Sequence, residues 1–413
     1  MSLNQTSFEP ALKLYYDSNP VIDMVYTDRP LLALIPKDEK ANGSYIDFPL
    51  RFADPQAASA NVTTALAASA NASSQYAKVV MGRVQYYSII RVANETIQVS
   101  KGNQDAFMSA LTSETDGGIN TLSNHLATAL YRSGWGDIGI IGAINGSTIT
   151  LATTSDIFNF EKGMVCIFAS NQSSSTLRNT GGTTKNTVSA VDRSNGIVTF
   201  SAAVSTVTGT AVGDYVFLDG NRQDSATPTA LLVTGLEGWV PAATPSSTAF
   251  FGMDRSTDSR LGGLRLDATG LPIKEALIKA SMKVAAQGGK VTHWFVSYDQ
   301  YQSLLTSLDG KQTYVNLMTN ATVSFPGVNL ITAKGVVKVI PDQFCPGNRA
   351  WGLQLDTWKL YSAGPAVQIQ KTDGNSLRFD VTTDDLIGRT AFYGNVGCRA
   401  PGFNINVQLT VVS

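Results

Sequence analysis

Apolar and polar positions alternate with a period of two in two stretches of the N-terminal third. These are YIDFPLRF (residues 45–52) and YAKVVMGRVQYYSIIRV (76–92). Both are rich in β-branched and aromatic residues and read as strands. Between them runs ADPQAASANVTTALAASANASSQ (53–75), in which Asp54 is the one charged residue and no residue is aromatic. The pattern predicts an extended hairpin over 45–95 with a bland tip. A loop of that length is unusual inside a compact domain and is commonly functional. Ahead of it, residues 1–44 read as an arm. FEPALKLYY could make two helical turns that place Phe8, Leu12, Tyr15 and Tyr16 on one face, and Pro20, Pro30 and Pro36 then break the chain. That face either packs in an ordinary core or docks on another subunit.

The period changes to that of a helix over 103–133. Phe107, Leu111, Ile119, Leu122, Leu126 and Leu130 form a stripe, and GWG at 134–136 ends it. Gly117–Gly118 lies in the middle. Each glycine costs about 1 kcal/mol against alanine in a helix interior, so a bend or two abutting helices are expected. Short strands follow over 142–220: TITLA, MVCIFAS, NTVSAV, GIVTFS and DYVFL, with a hairpin turn signal at Asn195–Gly196. They predict a small all-β barrel or sandwich inserted in another domain. Residues 221–270 are loop-rich.

Helical periodicity returns in PIKEALIKASMKVAAQGG, which starts behind Pro272 and stops at Gly288–Gly289. Ile273, Leu277, Ala280 and Val284 are its expected buried face. VTHWFV is a strand. Ser297 and Gln300 make a capping-box signal for a second helix, with Tyr301, Leu304, Leu305 and Leu308 inward. Strands and turns resume at 325–370, and RTAFYGNVGCRAPGFNINVQL closes the chain as another strand pair.

Composition narrows the function more than the fold. Of 413 residues 43% are hydrophobic and only 15% charged, and the net charge is −1. Charged residues usually make about a quarter of a chain. No basic run suggests a grip on phosphate backbones. MSLNQTSFEP lacks the features of a signal peptide, and no apolar run is long enough to span a membrane. Cys166, Cys345 and Cys398 are far apart and fit no disulfide or zinc framework, which suits a reducing cytoplasm. His125 and His293 are expected to be structural. Asp380, Asp384 and Asp385 cluster, and a solvated turn is favoured over a cation site or an acid–base pair. No motif for nucleophilic, metal or nucleotide chemistry is present. The sequence therefore predicts a structural protein rather than an enzyme, with no cofactor and no metal.

The order of parts is an arm, a long hairpin, a long helix, a β insertion, a helix–strand–helix segment and a closing strand pair. It resembles the major capsid protein of tailed bacteriophages, the Hong Kong 97 type fold. YIDFPLRF and YAKVVMGRVQYYSIIRV would be its extended E-loop, and FMSALTSETDGGINTLSNHLATALY the spine of the peripheral (P) domain. PIKEALIKASMKVAAQGG with VTHWFVSYDQYQSLLTSL would be the axial (A) domain core, and AFYGNVGCRAPGFNINVQL the returning P-domain strands. The likeness covers nearly the whole chain except 142–220.

What the resemblance implies is an α+β chain divided as follows: arm 1–44, E-loop 45–95, P-domain with spine 96–141, inserted β domain 142–220, connecting segment 221–270, A-domain 271–385 and returning P-domain strands 386–413. It implies assembly with itself into hexamers and pentamers of an icosahedral shell in a virion, put together in the bacterial host cytoplasm and enclosing DNA without reading its sequence. A separate scaffolding protein and a portal protein are implied partners, a decoration protein is a further one it allows, and no membrane is involved. Arg51, Asp54, Lys78 and Arg83 on the E-loop, and Phe8, Leu12, Tyr15 and Tyr16 on the arm, become candidate inter-subunit contacts. Two alternatives stay open: an encapsulin-type bacterial compartment, and a β-rich adhesin or carbohydrate-binding protein using 142–220.

Overall fold

The computed structural model describes residues 29–41, 43–70, 73–93, 104–173, 177–178, 184–225, 228–307, 327–371, 377–380 and 385–411. Phe8, Leu12, Tyr15, Tyr16, Leu308 and Asp384 lie outside them. The described chain is mixed α and β. It has two sheets, a closed barrel and a separate two-stranded hairpin.

A short helix α1 (Pro30–Leu34) and strand β1 (Lys37–Asp38) lead into the hairpin strands β2 (Tyr45–Ala53) and β3 (Gln75–Gly82), with helix α2 (Val62–Ser69) between them. β2 and β3 pair antiparallel from Tyr45↔Gly82 to Ala53↔Gln75. Strand β4 (Val84–Ala93) follows at once but changes partner. It pairs along its whole length with β19 (Asp385–Cys398), some 300 residues away. The expected second arm of the hairpin is thus two strands. Only the first belongs to the hairpin, because Gly82 and Arg83 break the run and turn the chain into another sheet.

That first sheet is organised around β19. Its other edge is taken in turn by β18 (Leu377–Asp380), β17 (Gln368–Ile369) and β16 (Trp358–Ser362), and β1 adds to β16 in parallel. The long helix α3 (Gln104–Tyr131) packs on β4 and β19 and runs unbroken. The two abutting helices that Gly117–Gly118 allowed are one continuous helix. A Cβ on Gly118 would stand 2.6 Å from Cγ1 of Ile90 on β4, so that glycine lets helix and sheet approach closely. Ile119, Leu122, Leu126 and Leu130 are buried as their spacing predicts. They share one core with the α1 leucines, the inner face of the hairpin and residues of the first sheet.

The chain then enters a six-stranded closed barrel of β5 (Asp137–Asn145), β6 (Thr148–Leu151), β7 (Val165–Ala169), β8 (Asn186–Asp192), β9 (Ile197–Phe200) and β10 (Tyr215–Leu218). It begins with Asp137, ahead of 142, because β5 follows the Gly134–Gly136 turn directly. Gly196 takes a φ of 65° in the β8–β9 turn, the conformation that Asn-Gly signals. The barrel has a core of its own, including Ile149, Phe168, Val198 and Phe200.

After the short helix α4 (Leu236–Trp239), β11 (Leu264–Asp267) opens the second sheet, ordered β11-β20-β15-β12-β14-β13. Its other members are β12 (His293–Val296), β13 (Val328–Thr332), β14 (Gly335–Pro341), β15 (Arg349–Leu353) and β20 (Ile405–Gln408). Helix α5 (Ile273–Ala286) buries Ile273, Leu277, Ala280 and Val284 against it, as predicted, and Pro272 is its N-cap residue. Helix α6 (Tyr298–Ser307) starts where Ser297 Oγ accepts from the Gln300 amide at 3.4 Å. The Gln300 side chain turns instead to the Gly347 and Thr410 carbonyls.

Two expectations about the C-terminal third are corrected. The closing strand pair is not a pair: β19 is the middle of the first sheet, while β20 lies between β11 and β15 in the second. The span 271–385 is likewise shared, since β16, β17 and β18 belong to the first sheet. Strand partners chosen at a distance of tens to hundreds of residues leave no local signal.

Candidate assembly surface

The hairpin is firmly rooted. Phe48 and Leu50 of β2 and Val79 and Met81 of β3 are buried, so the period-two pattern turns one face into the main core. Beneath them is an aromatic cluster. Trp239 lies 6.3 Å from Phe48, 5.2 Å from Phe250 and 5.6 Å from Phe251, and Phe48 stacks on Tyr361 at 6.2 Å. Trp239 Nε1 donates to the Val396 carbonyl at 2.8 Å, which satisfies its polar end. Phe251 takes a φ of 50°, rare for an aromatic residue, and its carbonyl accepts from the Val80 amide at 2.8 Å. Arg255 stands 3.8 Å over Phe250 and donates to the Gly238 carbonyl. Sequence reasoning passed over this clamp. Its signal was the adjacent pair Phe250–Phe251, apolar bulk inside a loop-rich segment.

The outer face of the hairpin is polar and exposed. Lys78 pairs with Asp47 at 2.9 Å, and Arg51 with Asp54 at 2.6 Å. The structure thus brings Arg51 and Asp54 together within one chain, and gives Lys78 a partner, Asp47, that sequence reasoning did not single out. All four side chains are largely exposed, and such pairs contribute about 0–1 kcal/mol. Arg83 is exposed between β3 and β4.

The tip is the unusual part. The bland ribbon contains α2, although strand flanks and low hydrophobicity did not suggest a helix. Asn61 caps it, with Oδ1 accepting from the Thr63 and Thr64 amides at 2.8 and 3.3 Å. Alanine supplies helix propensity, so the element forms without a buried face. No residue of α2 is buried. Val62 and Leu66, one turn apart, are 83% and 71% exposed. Tyr76 and Tyr45 are exposed along the same hairpin. On the body, Tyr87 and Ile89 of β4 form a second exposed apolar patch, with Arg389 5.9 Å over the Tyr87 ring.

The candidate catalytic groups do not converge. His125 packs edge-on against Tyr86 at 5.9 Å, and burial lowers its pKa. His293 contacts the Thr292 hydroxyl at 3.0 Å; burial, then the charge of Lys338, lowers its pKa. Asp385 pairs with Arg91 at 3.5 Å and faces Asp380 across β18–β19. All three cysteines are buried. Burial pushes Cys166 and Cys398 up to about 12, and Cys345 well above the usual thiol range. Among the described residues no three His, Cys, Asp or Glu gather as a metal site, and no helix is long and apolar enough to cross a membrane.

Residues 214–382 match the family described as SU10 major capsid protein. The matched segment starts at the last barrel strand, β10, includes every strand of the second sheet except β20, and extends past β16, β17 and β18 of the first. Among solved structures, the cyanophage A-1(L) capsid asymmetric unit aligns at 13% identity and a TM-score of 0.48, covering 92% of this chain and 93% of that one. A Mycobacterium phage Adephagia chain aligns at 10% and 0.46, covering 94% and 92%. A virus-like particle from Pyrococcus furiosus aligns at 8% and 0.40, covering 94% and 96%. No curated protein sequence matches the chain.

Proposed function

We propose that this chain is the major capsid protein of a tailed bacteriophage, built on the Hong Kong 97 type fold, and that it works by assembling with itself into a closed shell. The observation that carries the reading is the capsid-family match over 214–382. The hairpin agrees with it. A segment clamped by buried aromatics at its base and exposing Val62 and Leu66 at its tip has more apolar surface than its own chain uses.

On this reading the hairpin is the E-loop and α3 the spine. The tip of each copy lies on a neighbour, where small uncharged residues tolerate the slightly different surroundings of hexamers and pentamers. Arg51, Asp54, Lys78 and Arg83 exchange solvent and intra-chain partners for partners on adjacent subunits. The arm residues Phe8, Leu12, Tyr15 and Tyr16 add a second strap. Exposed pairs contribute little each, so buried area dominates, and obligate interfaces commonly bury about 2,000–5,000 Å². The near-neutral charge suits a wall that confines DNA without gripping it. A scaffolding protein and a portal protein complete assembly in the host cytoplasm, and the product is the virion shell. The family match favours this over a bacterial cargo compartment.

Sedimentation velocity on the protein expressed alone tests the reading. Capsomers or closed shells are expected. A chain that stays monomeric across salt, crowding and concentration contradicts it. Shells that enclose only a host protein point to the compartment instead.

A further inference from the structure

A buried polar cluster lies where the barrel meets the body. The barrel's core is separate from the main one. Arg132, directly after α3, reaches two barrel carboxylates: Nη1 lies 3.4 Å from Asp137 and Nη2 2.7 Å from Asp156. All three side chains are buried. Thr128 of α3 donates to Asn159 Oδ1 at 3.0 Å, and Asn159 Nδ2 donates to the Ile138 carbonyl at 2.9 Å. A third carboxylate, Glu237 of α4, closes on the same place and accepts from the barrel's Gln172 at 3.5 Å. The two connections between barrel and body run side by side here. The Leu232 amide donates to the Gly134 carbonyl, and the Gly235 amide to that of Arg132.

The charges do not balance. Arg132 is shared between Asp137 and Asp156, and Arg349 of β15 acts on Glu237 from further away. Tyr215 of the barrel and His125 of α3 also face the cluster, as does Cys345 of the body, which couples it to the buried Asp342–Tyr131 pair at 2.8 Å. The C-terminal end of α3 adds partial negative charge of its own. Three carboxylates therefore face one shared guanidinium and one more distant one.

We propose that this junction is a proton-dependent clamp: a proton held on Asp156 or Glu237, both crowded against Asp137 and sharing Arg132, keeps the barrel seated on the spine helix, and its loss loosens the barrel as a unit. Burial, then the neighbouring Asp137, raises the pKa of Glu237; burial likewise raises that of Asp156 against the opposing pull of Arg132. Both groups bind a proton more tightly in the seated state than in water. Seating is therefore firmest at the acid end of the ordinary carboxylate range and weakens as pH rises through the raised values. Separate cores joined by a polar contact allow such movement without unfolding either part.

Hydrogen exchange with mass spectrometry on the full chain tests this, following 132–136 and 219–236 against the barrel strands. After correction for intrinsic rates, the two connections should exchange about tenfold faster at about pH 8 than at about pH 5.5, while barrel strands keep their protection. Glu237→Gln should hold the connections at the slow rate at both pH values. Asp156→Asn is the second variant if the first fails to fold, and it should flatten the profile in the same way. Wild-type exchange that does not change with pH, or a pH dependence that survives in the folded variant, overturns the proposal. Barrel strands that lose protection together with the connections also overturn it, since that is unfolding rather than release.

Discussion

The hairpin tip and the barrel are written in nearly the same alphabet and end in opposite physical states. Both are rich in Ser, Thr, Ala and Asn and poor in charge. The barrel closes six short strands around a core in which Ile149 and Val198 are fully buried. The tip forms a capped helix and buries nothing, leaving Val62 and Leu66 in solvent. Alternation makes the difference. Each barrel strand sends every second residue inward, so its apolar groups meet one another. The tip's two apolar groups share a face that has no other face to meet. A region that completes its own core needs no partner, while the contact proposed for the tip would supply the face that its own chain does not.

Mutations of decreasing cost sharpen the contrast. Phe168 sits in the barrel core, edge-on to Phe200 at 5.8 Å. Phe168→Ala should cost about 3–5 kcal/mol in the denaturant transition that reports the barrel. A loss below about 1 kcal/mol would mean the barrel is not packed as described. Next is Gly118→Ala, which forces a methyl group against Ile90 and should cost about 1–3 kcal/mol despite alanine's better helix propensity. A stabilised variant would show that helix and sheet are not in close contact.

Asn61→Ala removes the cap of α2, worth about 1 kcal/mol to the helix. The thermal midpoint of the unassembled chain should not move, because no residue of that helix is buried, whereas assembled particles should melt earlier. Last, Leu66→Asp should change the stability of the unassembled chain by about 0.5 kcal/mol or less and yet prevent assembly, read as loss of fast-sedimenting material. A clear loss of monomer stability in Leu66→Asp would place the tip in a core of its own chain and erase the difference from the barrel.

Much of this architecture was legible locally. Strict alternation marked β2 and β3, the i, i+3, i+4 stripe marked α3 and α5, and turn residues separated the barrel strands. Three kinds of feature were not. Partner choice was one: nothing in VQYYSIIRV says that it pairs with residues 385–394, or that β19 and β20 enter different sheets. Helix formation without a buried face was another. Asn61 followed by an alanine-rich run carried that signal, but periodicity could not, since α2 buries nothing. The third was the glycine pair. Propensity argued for a break, and the close approach of Gly118 to Ile90 outweighed it. Of the candidate contact residues, Arg51, Asp54 and Lys78 were identifiable as exposed charges at strand ends. The Arg51–Asp54 pair is local and the Lys78–Asp47 pair crosses one hairpin, whereas the Phe48–Trp239–Phe250–Phe251 clamp that fixes the hairpin's direction depends on residues about 200 apart.

The central claim is that the tip of the hairpin is half of a contact completed by a second copy. Cryo-electron microscopy of particles assembled from the purified chain tests it most directly. The account predicts a closed shell in which residues 62–69 of each copy lie against a neighbouring subunit, with Val62 and Leu66 buried there. Closed shells whose tips stand free in solvent, or a chain that forms no particles under any assembly condition, would contradict it.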